Sequence, residues 1–212
     1  LTLDSIIKLF DANTVTRGMD LLGRVETSWN FVLADKKDNI GYQMSGLMPK
    51  RRKGITGFVP LPGWEEKNDW QGFENPKDLP KCYNPECGYF ITSNQNLNEY
   101  GKLNPINMGM GPYRSDRIGK LLSQNNEITA VTMQKLHYDV YSTQAEAFMK
   151  ILRPLIPDTK QGKILKNWGF EYGENSKGAF IFDRFYKALY REVFGKNGFG
   201  PKAFDYIDKH SG

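Results

Sequence analysis

The sequence predicts an α+β fold: a β-hairpin near the start, a long irregular arm, and a helical second half. Three observations predict it. Residues 29–46 hold two short apolar and β-branched runs on either side of a Lys-Lys-Asp-Asn turn. Pro49, Pro60, Pro62, Pro76, Pro80 and Pro85 exclude regular helix over the next stretch. After Pro112, apolar residues recur at helical spacing nearly to the end. The organisation read from this is residues 1–113, a partial sheet region with an N-terminal helix, the hairpin and the arm, then residues 114–212, a helical region.

Taken in order, Leu3 to Val25 reads as helical, with Thr2 or Asp4 as cap and Ile6, Ile7, Leu9, Phe10, Met19, Leu21 and Leu22 as apolar positions. Gly18 and Gly23 weaken it, so two pieces are expected. The hairpin pairs Trp29–Asp35 with Ile40–Gly46, and Asp38 and Asn39 tolerate the positive φ of a tight turn. Four consecutive apolar residues in the first strand predict cover on both faces. From Leu47 to Arg114 no period is visible, and a connection of that length has to be disordered or held by its own contacts. Phe58, Trp64, Trp70 and Phe73 are expected to hold it, each offering about 150–250 Å² of apolar surface. Within the arm, Tyr89–Thr92 reads as a short strand.

Arg114–Ser123 then reads as a helix with Ile118, Leu121 and Leu122 inward. Thr129 caps another that runs to near Pro154, with Met133, Leu136, Val140, Ala147, Ile151 and Leu152 as its apolar face. His137 and Asp139 lie on it in solvated or structural roles. Ser176–Phe194 is a third long helix with an aromatic stripe, ended by Gly195-Lys196-Asn197-Gly198, and Phe199–His210 is a short final segment.

Composition excludes several function classes. The 212 residues are 39% hydrophobic and 13% aromatic, enough for a core. No run of about 18 apolar residues exists, so no membrane-spanning helix is expected, and residues 1–10 show no signal-peptide pattern. The net charge is +5, with one basic cluster, Lys50-Arg51-Arg52-Lys53, read as a solvated loop rather than a nucleic-acid site. Cys82 and Cys87 could close a small loop or stay free. With only His137 and His210 beside them, zinc is not expected.

The chemistry concentrates between Asn84 and Arg117. Asn84-Pro85 and Gly88 signal a turn, Asn94 and Asn96 come after the expected strand, and Arg114 and Arg117 open the next helix. Carboxamides followed by a guanidinium can bind an anion or a developing oxyanion. They cannot attack or abstract a proton.

Anchors along the chain resemble the penicillin acylase family of N-terminal nucleophile (Ntn) amidohydrolases. They are Asn39-Ile40-Gly41-Tyr42; Gly46 with Pro49 and Arg51; Pro60-Leu61-Pro62-Gly63-Trp64; Asp69-Trp70-Gln71-Gly72; Asn84-Pro85 with Gly88-Tyr89; Asn94; and Arg114-Ser115-Asp116-Arg117-Ile118 with Leu121-Leu122. The helix from Thr129, carrying Asp139 and Ser142, also fits. The resemblance covers about residues 1 to 155 well and the remainder loosely. It implies an incomplete piece of an αββα sandwich, an internal part of the large subunit.

The implied chemistry is specific. The family's nucleophile is a serine at the start of the large subunit, freed by self-cleavage, with its own α-amine as base. Such an amine has a pKa of about 7.7–8.0, close to working pH. That serine is expected upstream of Leu1, so the chain alone is expected to be inactive. Asn94 matches the asparagine of the oxyanion hole, with Asn96 as the alternative register. Arg114 matches the arginine that orients the active-site amine and carboxamide, and Trp29 matches an acyl-pocket position.

The family often binds structural calcium. Gly57 would offer only a carbonyl, and Asn104 stands where a carboxylate is expected, so no metal or other cofactor is expected in this piece. The implied partners are an N-acyl small molecule, the rest of the precursor, and a second copy through unpaired sheet edges. The implied location is the periplasm or cell exterior. The alternative is a non-catalytic, aromatic-rich binding module.

Overall fold

The computed structural model describes residues 2–125 and 127–210. The chain divides into two units, Leu1–Ser115 and Asp116–Gly212. The helical start of the first unit is two pieces, α1 (Thr2–Leu9) and α2 (Val15–Leu22). The break falls at residues 10–14 rather than at a glycine, because the Thr14 hydroxyl accepts from the Arg17 N–H and caps α2.

The glycines serve packing instead. β1 (Asn30–Ala34) and β2 (Ile40–Met44) pair antiparallel in the expected hairpin, and the left-handed turn residue is Asp38, φ 60°. A Cβ on Gly18 would lie 2.4 Å from Leu33 Cδ2, and one on Gly41 would lie 2.4 Å from Val15 Cγ1. Their absence lets α2 sit against the hairpin. The Asp35 carboxylate ties the two together, accepting from the N–H groups of Val15, Lys37 and Asn39.

β1 does not have both faces covered. Its burial alternates and Val32 is 53% exposed: α2 packs on the sheet, and alternate side chains point away from that cover. β1 is an edge of a three-stranded sheet ordered β1-β2-β3. The central strand β2 takes the cover: Tyr42 is 1% exposed, its hydroxyl donates to Asn30 Oδ1 at 2.6 Å, and burial with the neighbouring Tyr100 pushes that hydroxyl's pKa up to about 12. β3 (Lys81–Tyr83), unexpected from the sequence, pairs with β2.

The arm is ordered, but not by its tryptophans. Trp64 is 87% exposed and Trp70 61%. Backbone bonds close it instead: Lys50 N–H to Gly72 O, Gln71 N–H to Lys50 O and Glu74 N–H to Met48 O, around a Pro49–Phe73 bridge. The arm's packing anchors are Phe90 and Tyr100, whose ring centroids lie 6.1 and 5.8 Å from Tyr42, together with buried Leu79 and Pro80. No strand forms at Tyr89–Thr92; the Ile91 carbonyl and the Ser93 N–H are taken by the Gln95 side chain rather than by a neighbouring strand. Cys82 and Cys87 are free thiols.

Helix α3 (Tyr113–Ser123) begins in the first unit. In the second unit, Thr129 caps α4 (Ala130–His137) through a reciprocal box with Thr132. This helix does not reach Pro154. It stops at Tyr138, and a separate α5 (Thr143–Leu152) starts from the Ser142 cap. Tertiary bonds claim the residues between. Val140 O accepts from the Tyr172 N–H, the Ser142 N–H donates to Phe170 O, and Asp139 receives Arg117 at 3.0 and 2.6 Å.

The inward residues of α5 are Ala145 and Met149, whereas Ile151 points outward. They form a core with Ile156, Leu165 of α6 (Lys160–Lys166), and Phe182 of α7 (Lys177–Tyr190). Within the α7 stripe Phe182 is buried and Phe180 exposed. The residues expected to end that helix, 195–198, lie in wide π-type turns over Arg191–Phe199, and α8 (Pro201–His210) comes next.

Tyr42→Ala removes the ring on which the arm rests and should cost about 3–5 kcal/mol, read from the urea midpoint. In the second unit, hydrogen bonds from Arg117 hold the Asp139 carboxyl below its usual range, against burial and with help from the Tyr141 N–H. A depressed carboxyl contributes stability above its unfolded pKa of about 3.9, lost as pH falls through the folded value. Asp139→Asn should therefore cost about 1–3 kcal/mol at neutral pH and flatten the fall in stability below about pH 4, measured by urea unfolding across a pH series.

Candidate oxyanion site

The loop after residue 91 is shaped by side chains that stand in for a strand partner. Gln95 Nε2 donates to Ile91 O at 2.6 Å, and its Oε1 accepts from the N–H and the hydroxyl of Ser93 at 2.7 and 3.0 Å. The bracket encloses residue 94, whose φ is 66°. This left-handed conformation is uncommon outside glycine and is tolerated best by asparagine and aspartate. On the far side, the Met110 N–H donates to Asn94 O at 2.7 Å. Asn96 Oδ1 accepts from the Asn98 N–H and from Asn107 Nδ2, which closes the loop between them.

Arg114 reaches back from the first turn of α3. One terminal nitrogen donates to Asn94 Oδ1 at 2.7 Å and to Ser93 O at 2.8 Å, and lies 3.3 Å from Met110 Sδ. The structure thus brings together Asn94 and Arg114, two residues twenty apart in sequence. Asn96, the alternative register, bonds within its own loop and makes no bond to Arg114.

That contact fixes how the carboxamide points. A guanidinium has donors only, so the group facing it is the amide oxygen. Asn94 Nδ2 is turned the other way, and among the described residues it makes no hydrogen bond; the side chain is exposed. The result is an exposed donor on a turn whose backbone is hydrogen-bonded on both sides. Such a group can stabilise negative charge developing on an incoming oxygen. The Ser93 hydroxyl beside it is bonded to Gln95.

Trp29 sits elsewhere in the first unit. The residue is 53% exposed, its ring is edge-on to Phe31 at 5.8 Å, and its backbone bonds Ser45. It makes no hydrogen bond or ring contact to Asn94 or Arg114 among the described residues. Gly57 does not suit a calcium ion, because the Arg51 guanidinium lies against it. No cluster of three candidate metal ligands occurs among the described residues. Gln95, Ser93 and Met110 are partners in the site that sequence reasoning did not single out. The run Ser93-Asn94-Gln95-Asn96, with three carboxamides in a row after a Gly-Tyr turn, is the signal that could have found Gln95.

The family model described as penicillin amidase matches residues 1–208. An acyl-homoserine lactone acylase of Pseudomonas fluorescens is 27% identical over 96% of this chain and 27% of its own length. A penicillin acylase 2 proenzyme of a Pseudomonas species is 24% identical over 92% of this chain and 25% of its own. The chain therefore spans about a quarter of these curated relatives. A thermostable penicillin G acylase from Alcaligenes faecalis superposes with a TM-score of 0.67 at 18% identity, over 82% of this chain and 33% of that one.

Asn94→Asp separates holding from donating. The carboxylate keeps the Arg114 contact and suits the left-handed backbone, but has no N–H. Its unfolding midpoint should match wild type within about 0.5 kcal/mol. Arg114→Ala, which releases the carboxamide, should lower it by about 1 kcal/mol.

Proposed function

The chain belongs to the penicillin amidase family, and we propose that in the intact protein it supplies the oxyanion donor of an amidohydrolase that cleaves the amide bond of an N-acyl compound. The substrate is a β-lactam side chain, an acyl homoserine lactone or a similar amide; the names of the relatives support both. The observation that carries the reading is the exposed Asn94 carboxamide, its oxygen held by Arg114 at 2.7 Å and its Nδ2 making no hydrogen bond among the described residues.

In the reaction, a nucleophile adds to the amide carbon and the carbonyl oxygen takes on negative charge. Asn94 Nδ2 donates to that oxygen as the charge develops. Arg114 does two things: its hydrogen bond keeps the carboxamide from turning its oxygen toward the oxyanion, and its positive charge polarises the amide it holds. The nucleophile and base belong to parts of the family's subunits that this chain does not span, so the chain alone has no amidase activity. The three-stranded sheet is, in this reading, one portion of an αββα sandwich. Trp29 lies toward the acyl group, and export to the periplasm or beyond is part of the same proposal. Besides the N-acyl substrate, the partners are the remaining segments of the precursor, which pair with the open edge of β1. In their absence a second copy takes that edge.

The test uses the full-length protein and a panel of chromogenic N-acyl substrates. Wild type should turn over. Asn94→Ala and Asn94→Asp should both process and fold, yet lose about 10²–10³ in kcat. Wild-type turnover by both variants would make Asn94 a plain turn residue. No turnover and no self-cleavage by the full-length wild type would favour a binding module, built on exposed Trp64, Trp70 and Phe58.

A further inference from the structure

We infer that Gln95 is a positioning residue for the reaction: its carboxamide locks the turn from which Asn94 presents its amide, an inference that rests on the oxyanion reading of Asn94. Among the described residues, the Gln95 side chain makes its hydrogen bonds to Ile91 and Ser93 and none to Arg114 or to the Asn94 side chain. It acts on the backbone to either side. Its oxygen uses both lone pairs on Ser93, the N–H at 2.7 Å and the hydroxyl at 3.0 Å, while Nε2 ties Ile91 O at 2.6 Å. Ser93 is 8% exposed, so these groups are shielded from water that could replace the lost partners.

The link to the site runs through Ser93. Its carbonyl is one of the acceptors of Arg114, and the next side chain, Asn94 Oδ1, is another. A left-handed residue is held in place only when its neighbours over-determine it. Here the Met110 N–H fixes residue 94 from one side and the Gln95 bracket fixes residues 91 and 93 from the other. Without the bracket, Ser93 is free to turn, the acceptor pair for Arg114 separates, and the Asn94 amide swings relative to the oxyanion. The requirements on the side chain are narrow. Asparagine is one methylene short, and glutamate can accept both Ser93 bonds but has no proton for Ile91 O. A residue that only stapled the loop for folding would have no preferential coupling to Asn94.

The test is a double-mutant cycle in the full-length protein with a chromogenic N-acyl substrate. Gln95→Ala should lower kcat by about ten-fold with KM within about two-fold. In an Asn94→Ala background the same substitution should change kcat by less than about two-fold, because nothing is left to position. Gln95→Glu should retain more turnover than Gln95→Ala. Should Gln95→Ala fail to fold, the same cycle is run with Gln95→Glu, where coupling to Asn94 supports the inference and its absence overturns it. An equal loss of kcat in both backgrounds, or an unchanged kcat in Gln95→Ala, overturns the role of Gln95 while leaving that of Asn94 intact. Full turnover by Asn94→Ala removes the oxyanion reading, and this inference with it.

Discussion

Buried peptide groups must find partners, and in this chain the need is sharpest between β2 and α3. β3 offers a ladder of three residues, and backbone bonds around the Pro49–Phe73 bridge close part of the arm. Carboxamides supply further partners. Asn84 Oδ1 takes the N–H of Ile40, Asn68 Nδ2 binds Pro62 O, Asn75 caps the turn after it, and Asn98 Nδ2 binds Pro105 O. An asparagine or glutamine carries the same donor and acceptor as a peptide unit on a short stem, so it can stand where a strand is missing. Asn94 belongs to this series and, like Asn75, bonds through its oxygen while its nitrogen makes no hydrogen bond among the described residues; what sets it apart is that the group on its oxygen is the Arg114 guanidinium. The candidate site is what remains of a structural device when one end of it is left over.

How much of the fold is legible in the sequence depends on the range of the interactions. The hairpin, the Thr129 cap and the arm's lack of period are legible because each depends on residues a few positions apart. The arm's support is not. Exposed Trp64 and buried Tyr42 are both large and apolar in sequence, and only the sheet decides which of them receives the loop. The break at Tyr138–Ser142 is hidden for the same reason. Its local pattern suits a helix, and the bonds that override it come from Arg117 and from residues 170–172.

The site itself divides along the same line. Asn94 and Arg114 stand out through family resemblance and through the chemistry of an amide followed by a guanidinium. Their contact, and the direction of the amide, depend on a turn whose left-handed residue no periodicity announces. Gln95 shows in the sequence only as one of three successive carboxamides; that it holds the backbone is not legible there, because backbone partners leave no signature in spacing. Preorganisation of this kind matters to an oxyanion donor, since a dipole already aimed has no reorganisation to undergo as charge develops.

The left-handed backbone at residue 94 also bears on how the gene can drift. Glycine, asparagine and aspartate tolerate that conformation best. Of these, asparagine alone joins an acceptor for Arg114 to an N–H for something else. A single nucleotide change carries an asparagine codon to aspartate or histidine, both of which suit the turn, but not to glycine; the histidine ring is bulkier and sets its N–H along a different direction from the amide. On the proposed reading, position 94 has no neutral neighbour one step away in the genetic code. Lineages that lose this amide by the easiest route would keep the shape of the loop, so degenerate relatives would be hard to tell from active ones by outline alone.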